Sequence, residues 1–188
     1  MPHLLLKSLP RYECFLEASK EFPDLDPSAC EAFFHLLRTG DEAFDYAEQN
    51  LVEHGISPGR FGVLMLLWGN YQNPQANTQG MTPAELANQS NVTRATMTGL
   101  IDTLERDGFV KRAADTDDRR MMRVALTDRA EKFLENLLPG HFRRMATLMA
   151  PLSHDERKTL VQLLIKIQEQ AALLASTHPI LTNAGLPT

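Results

Sequence analysis

The sequence is poor in the residues from which disulfide frameworks, metal sites and membrane anchors are built. Its 188 residues include two cysteines, Cys14 and Cys30, without a metal-ligand spacing such as CxxC, and a disulfide framework needs more of them. The six histidines are scattered without zinc-ligand spacing. No apolar run approaches the roughly 20 residues of a membrane-spanning helix, and the apolar stretch near Met1 is too short for a secretory signal. We therefore expect a cytoplasmic protein with reduced thiols, no metal, no other cofactor and no membrane partner.

Motifs of the common enzyme classes are missing as well. The sequence has no phosphate-binding loop, no nucleophile elbow and no HExxH zinc motif. Its Asp and Glu pairs are plentiful, but they fall on helix faces that are predicted to be exposed. The sequence therefore predicts a protein that is not an enzyme.

Positive charge is in short supply overall but is unevenly distributed. The formal net charge is -5, which at first argues against a nucleic-acid partner. Residues 1–56 hold four Lys and Arg against eleven Asp and Glu, a local balance of -7, so the remaining residues sum to +2. Because the distribution of charge matters more than its sum, the acidity of the first third does not exclude DNA binding by the rest.

Helix-start signals predict long helices in the first part of the chain. Residues 10–22 fit a short helix, and the cap at Asp26-Pro27 opens a long one that ends near His54. Ser57-Pro58 opens a third helix, which ends near Tyr71. Because this third helix is apolar nearly all round, we expect it to be buried on most sides.

A pair of short helices and a hairpin follow. Residues 82–85 (TPAE) form a capping box with proline in the first turn, and a second helix covers 93–106. Residues 109–112 and 122–126 fit two strands, with a tip rich in Asp and Arg between them. Two short helices, a tight turn and a hairpin make a winged helix-turn-helix.

Helical periodicity returns toward the C-terminus. Thr127 caps a long helix, and Pro139-Gly140 is expected to kink or break it. A second capping box, residues 153–156 (SHDE), opens the last helix. We therefore predict a mainly α fold with a small β-wing: a winged helix-turn-helix with long N- and C-terminal helices.

The second short helix has two distinct faces. Apolar residues at the i, i+3, i+4, i+7 spacing form its core face, namely Met97, Leu100, Ile101 and Leu104. The opposite face carries Ala95, Thr98, Gly99 and Asp102. A helix in the major groove of DNA needs little bulk where its backbone approaches, plus polar groups that reach base edges. The pattern therefore favours DNA recognition; the alternative is a solvated face whose alanine and glycine are incidental.

Further side chains of the helix and the hairpin complete the predicted DNA surface. Arg94 can reach a guanine edge or a phosphate, and threonines can donate to phosphates or contact a thymine methyl group. The candidate DNA-contacting residues are Thr93, Arg94, Ala95, Thr96, Thr98, Gly99, Asp118, Arg119, Arg120 and Arg123. Arg123, like Lys111 and Arg112, serves phosphates or salt bridges of the wing. Asp102 repels phosphates unless it pairs with Arg106, four residues on, or with an arginine of the wing.

Several segments resemble the multiple antibiotic resistance regulator (MarR) family. They are residues 86–87 (LA), 100–110 (LIDTLERDGFV), the wing at 115–120 (DTDDRR) and the strand end at 124–127 (VALT). The resemblance covers about residues 30–175 and implies a sequence-specific transcription regulator, most commonly a repressor. In that family a wing arginine enters the minor groove while an adjacent aspartate holds it, which implies these roles for Arg119 or Arg120 and for Asp118.

A homodimer is expected from both the residues and the resemblance. The apolar faces of residues 10–54 and 142–175 exceed what one small winged domain can cover; the alternative is that they complete the monomer's own core. Two copies held about 34–36 Å apart would read a pseudo-palindromic operator. We thus expect N-terminal dimerisation helices at 1–56, the DNA-binding domain at 57–128, and C-terminal dimerisation helices with a tail at 129–188.

The resemblance also implies a small, often aromatic, effector that relieves operator binding. Candidate pocket residues are His35, Tyr46, Phe61, Met65, Trp68 and Tyr71, although aromatic residues at helical spacing are more often plain core. A second version is a peroxide sensor built on Cys30, whose offset to Ser57 is about three residues too long for that branch of the family. A third is a winged-helix protein that binds only protein partners, against which the charged wing argues.

Overall fold

Within residues 8–72, 80–90, 92–116, 118 and 120–177, which the computed structural model describes, the chain forms seven helices and one antiparallel hairpin. The elements in chain order are α1 (Tyr12–Ala18), α2 (Pro27–Glu53), α3 (Pro58–Gln72), α4 (Pro83–Gln89), α5 (Arg94–Arg106), β1 (Val110–Ala114), β2 (Met122–Leu126), α6 (Asp128–Leu148) and α7 (His154–Thr177). The predicted mainly α fold with a small β-wing is confirmed. The chain forms two compact units, residues 1–145 and residues 146–188.

Local capping explains where the helices begin. The Asp26 carboxylate accepts hydrogen bonds from the Ser28 hydroxyl and from two backbone N–H groups at the start of α2, and these bonds, the Ser28 hydroxyl's most of all, lower the pKa of Asp26. Thr82 and Glu85 make both reciprocal hydrogen bonds of the predicted capping box at α4. The Thr127 hydroxyl accepts from the backbone N–H of Ala130 at the start of α6. These caps satisfy N–H groups that a helix end leaves without partners.

The hairpin pairs β1 with β2 and gains a further contact from the segment before α4. Val110 faces Leu126, and Ala114 faces Met122. Met81 forms an isolated antiparallel bridge with Val124, on the side of β2 away from β1. Gly80 precedes this bridge with a φ of 96°, and a Cβ there would lie 2.1 Å from the Val124 carbonyl oxygen. Only glycine fits both the positive φ and the close approach.

The core joins the helix pair, the hairpin and α6. Its fully or nearly fully buried residues come from five elements, namely Val63, Leu64, Leu67, Leu86, Met97, Ile101, Leu104, Val124, Leu134 and Leu137. The prediction that α3 is buried on most sides is confirmed, because Phe61, Met65, Leu66 and Trp68 also pack partly buried against this cluster. The core therefore fixes α5 and the hairpin in one body.

Two predicted boundaries are wrong. The first helix is seven residues long rather than thirteen, and Phe15 is its buried residue, stacked on Phe34 at 5.6 Å between ring centroids. The predicted break at Pro139-Gly140 is absent, because α6 runs through Pro139 to Leu148. Buried side chains on both sides of the proline hold the helix together, namely Leu134, Leu137, Leu138 and His141. Tertiary packing thus outweighs the backbone hydrogen bond that proline cannot make.

The helix of the second unit is well capped but has no core of its own. Ser153 N–H donates to Glu156 and Glu156 N–H donates to Ser153 Oγ, which is the predicted capping box. Hydrogen bonds from the Ser153 side chain and then from its backbone N–H lower the pKa of Glu156. The structure describes every residue of α7, and each is exposed or half-buried. The exposed apolar side chains on α7 are Val161, Leu163, Ile165, Ile167, Leu173 and Leu174.

The described residues contain neither a membrane-spanning helix nor a cluster of metal ligands. No helix among them has the length and apolar character needed to cross a membrane. Likewise, in the described ranges, no three His, Cys, Asp or Glu side chains are grouped as a metal site.

Candidate nucleic-acid interface

The two predicted faces of α5 are both observed. Met97, Ile101 and Leu104 have no exposed surface and fix the rotation of the helix against its neighbours. The opposite stripe is exposed and consists of Ala95, Thr98, Gly99 and Asp102. The core packing therefore leaves one narrow outward face, most of it built from small side chains.

Threonine hydroxyls organise the first turn of α5. Thr93 Oγ1 accepts from Thr96 N–H at 3.1 Å and caps the helix, and the hydroxyls of Thr93 and Thr96 lie 2.8 Å apart. Thr98 Oγ1 donates to the carbonyl of Arg94 at 2.9 Å. All four of these residues are exposed. Each hydroxyl keeps acceptor capacity, so the turn presents polar groups and the Arg94 side chain to whatever approaches.

Gly99 occupies an interior position of α5 that the protein itself does not require to be glycine. Among the described residues, no atom lies within 4 Å of the place where a Cβ would stand, and the backbone is helical. Glycine costs about 1 kcal/mol relative to alanine inside a helix. The absence of a side chain at this point thus leaves room for a partner outside the chain.

The tip of the hairpin holds an exposed arginine in a fixed geometry. Arg120 Nε and Nη2 donate to the two oxygens of Asp118, both at 2.9 Å, and the Arg120 side chain is 90% exposed. These hydrogen bonds lower the pKa of Asp118 and raise the pKa of Arg120. The expected pairing of Asp118 with a wing arginine is therefore present. Arg119 lies outside the described residues.

Of the two roles that the sequence allowed for Arg123, a phosphate contact or a salt bridge of the wing, the structure shows the salt bridge. Its side chain is 12% exposed; Nε donates to Asp115, which is 4% exposed, and Nη1 donates to the carbonyl of Gly80 at 3.0 Å. Asp115 also accepts from the backbone N–H of Asp118 at 3.0 Å. The guanidinium thus ties the hairpin to the segment before α4 through its Nε and Nη1 donors. This placement is that of a wing salt bridge and not of a phosphate contact.

Asp102, the acidic residue on the outward stripe of α5, pairs with the wing. Arg112 of β1 donates from Nη2 to Asp102 Oδ1 at 2.5 Å and from Nη1 to Glu105. Its backbone N–H also donates to Glu105 at 3.3 Å. The hydrogen bond to Asp102 contributes most to the raised pKa of Arg112. Of the two partners that the sequence allowed for Asp102, the structure shows the wing arginine.

A second ion pair positions α5 and was missed by sequence reasoning. Arg60 of α3 donates to Asp107, the C-cap residue of α5, at 2.5 Å. The two residues are 47 positions apart, and both side chains are less than two-fifths exposed. No local pattern indicates such a pair, because the contact exists only after α3 and α5 pack together.

The predicted effector residues do not form one described cavity. Phe61 packs edge-on against His141 of α6 at 5.0 Å, and the Arg144 guanidinium lies 5.6 Å from the ring of Tyr46. His35 is exposed, and Met65 and Trp68 pack against the core. The side chain of Tyr71 lies outside the described residues. The structure thus brings Tyr46 and Phe61 to neighbouring positions of α6.

Polar groups are buried at that junction of α2, α3 and α6. Asn50 and His141 are both buried, and within the described residues Asn50 Nδ2 and His141 Nδ1 have no hydrogen-bond partner. Burial lowers the pKa of His141. A Cβ on Gly140 would lie 3.2 Å from Asn50 Oδ1, so glycine permits the close packing of α6 on α2 there. Buried polar atoms without partners are costly, which makes the junction a candidate site for a polar ligand group.

A cavity lies beside the wing. It has a volume of about 440 Å³ and is lined by the hairpin, the C-terminal half of α3 and the start of α6, including Leu67, Lys111, Arg123, Leu126 and Glu131. None of the predicted effector residues lines it. Its walls are the same elements that hold the hairpin in place.

Comparison with known proteins identifies relatives of the whole chain. The MarR family profile matches residues 56–122. The HTH-type transcriptional repressor YetL of Bacillus subtilis is 35% identical over 168 residues, which cover 89% of this chain and 97% of YetL. Transcription regulators are thus the proteins that this sequence matches.

Solved structures show the same fold. The DNA complex of MepR from S. aureus has a TM-score of 0.62 at 24% identity, covering 74% of this chain and 96% of MepR. CouR from Rhodococcus jostii RHA1, bound to p-coumaroyl-CoA, has a TM-score of 0.58 at 20% identity, covering 81% of this chain and 95% of CouR. These likenesses establish the fold.

Proposed function

This chain belongs to the MarR family of DNA-binding transcription regulators, and we propose that it is a repressor that binds a pseudo-palindromic operator as a homodimer. A small aromatic effector then relieves this binding. The family and the relatives are those of regulators and not of enzymes. The operator, the dimer and the effector are the proposed parts, and each is supported by a different feature of the molecule.

The observation that carries the proposal is the fixed, exposed guanidinium of Arg120. A free surface arginine usually samples many rotamers, whereas two hydrogen bonds to Asp118 orient this one outward from the wing tip. Arginines presented in this way suit the negative potential of a narrow minor groove. The exposed stripe of α5, with its threonines and Gly99, suits the adjacent major groove.

The homodimer is supported by apolar surface that one copy leaves uncovered. Phe22, Phe33 and Phe44 are each more than half exposed, and so are several apolar residues of α7. Exposed apolar surface on this scale marks an interaction site. A second copy covers it by symmetry and places two α5 helices on one DNA face.

The effector is supported by the junction of α2, α3 and α6. CouR, which shares the fold, binds p-coumaroyl-CoA. In this chain two aromatic rings each lie beside a polar group of α6. The ring of Phe61 packs against the imidazole of His141, and the ring of Tyr46 lies near the guanidinium of Arg144. We infer that an aromatic acid is bound there, its ring by the aromatic side chains and its carboxylate by Arg144, whose Nη2 also donates to Glu53 at 2.7 Å. It weakens operator binding only if it binds better to a conformation that does not fit the operator.

The test is operator binding by wild-type protein and by Arg120→Ala. The operator is located by footprinting on the DNA upstream of the protein's own gene. We expect wild-type affinity to fall steeply as salt rises. Removal of Arg120 is expected to lower operator affinity about tenfold or more, which corresponds to one lost base or groove contact of roughly 1–3 kcal/mol. Arg157→Ala, which removes an exposed arginine from α7, is the matched control and should bind like wild type.

Three kinds of result would overturn parts of the proposal. Binding that does not depend on salt, or no DNA binding at all, would favour the protein-interaction alternative. Equal operator affinity of Arg120→Ala and wild type would remove the wing from the interface. Release by peroxide that is lost in Cys30→Ser would replace the aromatic effector by a redox signal; Cys14 and Cys30 are both free thiols in the structure.

A further inference from the structure

The acidic residue on the outward stripe of α5 stands where the proposed interface least accommodates one. Asp102 shares that stripe with Ala95, Thr98 and Gly99, and its side chain is the longest of the four. A carboxylate there is repelled by phosphates, so its presence argues for a contact with another part of DNA. If this stripe enters the major groove as proposed, Asp102 faces the base edges together with the small residues.

Arg112 holds the Asp102 carboxylate and leaves part of it open. Asp102 is 58% exposed, and Oδ1 accepts from Arg112 Nη2 at 2.5 Å. Among the described residues this is the hydrogen bond that the carboxylate makes, so Oδ2 is open to an outside donor. Arg112 itself is anchored by Glu105 and by its place in β1. The hydrogen bond from Arg112 therefore fixes the orientation of the Asp102 carboxylate.

The free oxygen can only accept a hydrogen bond, which limits what it can recognise. In the major groove the donors on base edges are the amino groups of cytosine and adenine, and the established pairing for Asp and Glu is with cytosine N4. Adenine is instead suited to an amide, which both donates and accepts. The local balance of Arg112 with Asp102 and Glu105 is one negative charge, which suits an amino donor and not a phosphate.

We propose that Asp102 is a specificity-determining residue that accepts a hydrogen bond from the N4 amino group of one cytosine in each operator half-site, with Arg112 as its positioning residue. The inference rests on the proposed function, since it assigns a base to one residue of the proposed interface. It adds the identity of a base that no motif in the sequence indicates.

The experiment measures operator affinity on duplexes changed at single base pairs in both half-sites. One duplex series replaces each cytosine by 2-pyrimidinone, which lacks only the amino group. Wild-type protein should lose about tenfold in affinity per half-site at one symmetric cytosine, or about a hundredfold with both half-sites changed, since tenfold lies in the lower part of the range for one specific base contact. Asp102→Ala should bind the natural and the modified duplex equally. Asp102→Asn should shift the preference at that pair toward A·T.

Two further variants separate recognition from support. Glu105→Gln removes an equal charge from the same Arg112 cluster but not from the outward stripe, and it should keep the cytosine preference. Arg112→Lys keeps the charge but loses the planar fork that spans both carboxylates. It should reduce discrimination at the same base pair and at no other. A purely structural role of Arg112 would instead weaken all sequences alike.

Several results would overturn the inference. They are an unchanged base preference in Asp102→Ala, a uniform change across all sequences, or a response at a base other than cytosine. The proposed function fails separately, because its failure appears as absent operator binding by the wild type or as indifference to Arg120→Ala. If operator binding depends on Arg120 but base preference does not depend on Asp102, the cytosine assignment is wrong and the proposed function still stands.

Discussion

Three arginines of one hairpin differ in role because they differ in surroundings. Arg120 is held outward by the neighbouring Asp118, the half-buried Arg123 pairs with the buried Asp115, and Arg112 spans two carboxylates of α5. The sequence distinguishes them poorly, since each is an arginine in a charged segment. Their partners decide which guanidinium can meet a phosphate or a base, and the structure leaves that freedom to Arg120.

A single added methyl group at Gly99 tests whether DNA closely approaches the backbone of α5. Gly99→Ala should raise the free energy of unfolding by about 1 kcal/mol, since alanine is the better helix former and a Cβ meets no described atom within 4 Å. The same variant should bind the operator roughly tenfold more weakly, the size of one lost contact of 1–3 kcal/mol. Urea unfolding and operator titration measure the two effects.

Gly69→Ala is the matched control for this prediction. Gly69 is an exposed position inside α3, and a Cβ there also meets no described atom within 4 Å. It should gain similar stability and keep wild-type operator affinity. If Gly99→Ala binds the operator as tightly as Gly69→Ala, the DNA backbone does not approach α5 at this point.

At the scale of elements, signals within a few residues of each other predict the structure well. The capping boxes at Thr82 and Ser153 and the cap at Asp26 lie where the sequence puts them, because a cap and its N–H partners are neighbours in the chain. The continuity of α6 through Pro139 was not predictable in this way. Its cause is packing against segments far away in the sequence.

The same distinction explains what could be said of the candidate site. The two faces of α5 follow from helical periodicity and appear as predicted. The ion pairs Arg60–Asp107 and Arg112–Glu105 join different elements, so no spacing rule reveals them. The burial of Arg123 also depends on the approach of Gly80 to β2, which a reading of the hairpin alone does not contain.

The buried ion pair at the base of the wing should determine the stability of the hairpin. Arg123→Ala leaves Asp115, which is 4% exposed, without its guanidinium partner. Removal of one member of a buried pair costs about 3–5 kcal/mol, because the other charge stays desolvated. The expected result is a large loss in the free energy of unfolding, measured in urea at neutral pH.

Arg120→Ala is the control within the same hairpin. Its partner Asp118 remains hydrated at the tip, so the exposed pair contributes little to folding. The variant with the lower stability should therefore not be the variant with the lower operator affinity. Arg123→Ala should be the less stable protein, whereas Arg120→Ala should stay folded and bind DNA poorly. If Arg123→Ala is as stable as wild type and loses only operator affinity, Arg123 contacts DNA and does not stabilise the hairpin.

For the whole molecule, the proposed dimer links the apolar surface to the charge distribution. The first 56 residues carry a local balance of -7, so the acidic part of the chain is also the part whose exposed phenylalanines need a partner. A DNA-binding surface near this segment would be weakened by repulsion from phosphates. If residues 1–56 form the dimer and the winged helix-turn-helix binds DNA, the acidic segment does not have to approach the phosphates.

The dimer is tested on α7, whose apolar side chains lack a core of their own. Ile167 is 48% exposed on this helix, and in a dimer Ile167→Glu would bury a charge without a partner, which is strongly unfavourable. We expect wild-type protein to sediment as a dimer and Ile167→Glu as a folded monomer with native helix content. Since two linked half-site contacts exceed one by roughly 10²–10⁴ in affinity, operator binding by Ile167→Glu should fall by at least the lower of these factors.

Gln168→Glu adds the same charge to the neighbouring polar position and should leave both properties unchanged. A monomeric wild type, or an Ile167→Glu dimer that still protects both half-sites, would mean that α7 is not where the two copies meet.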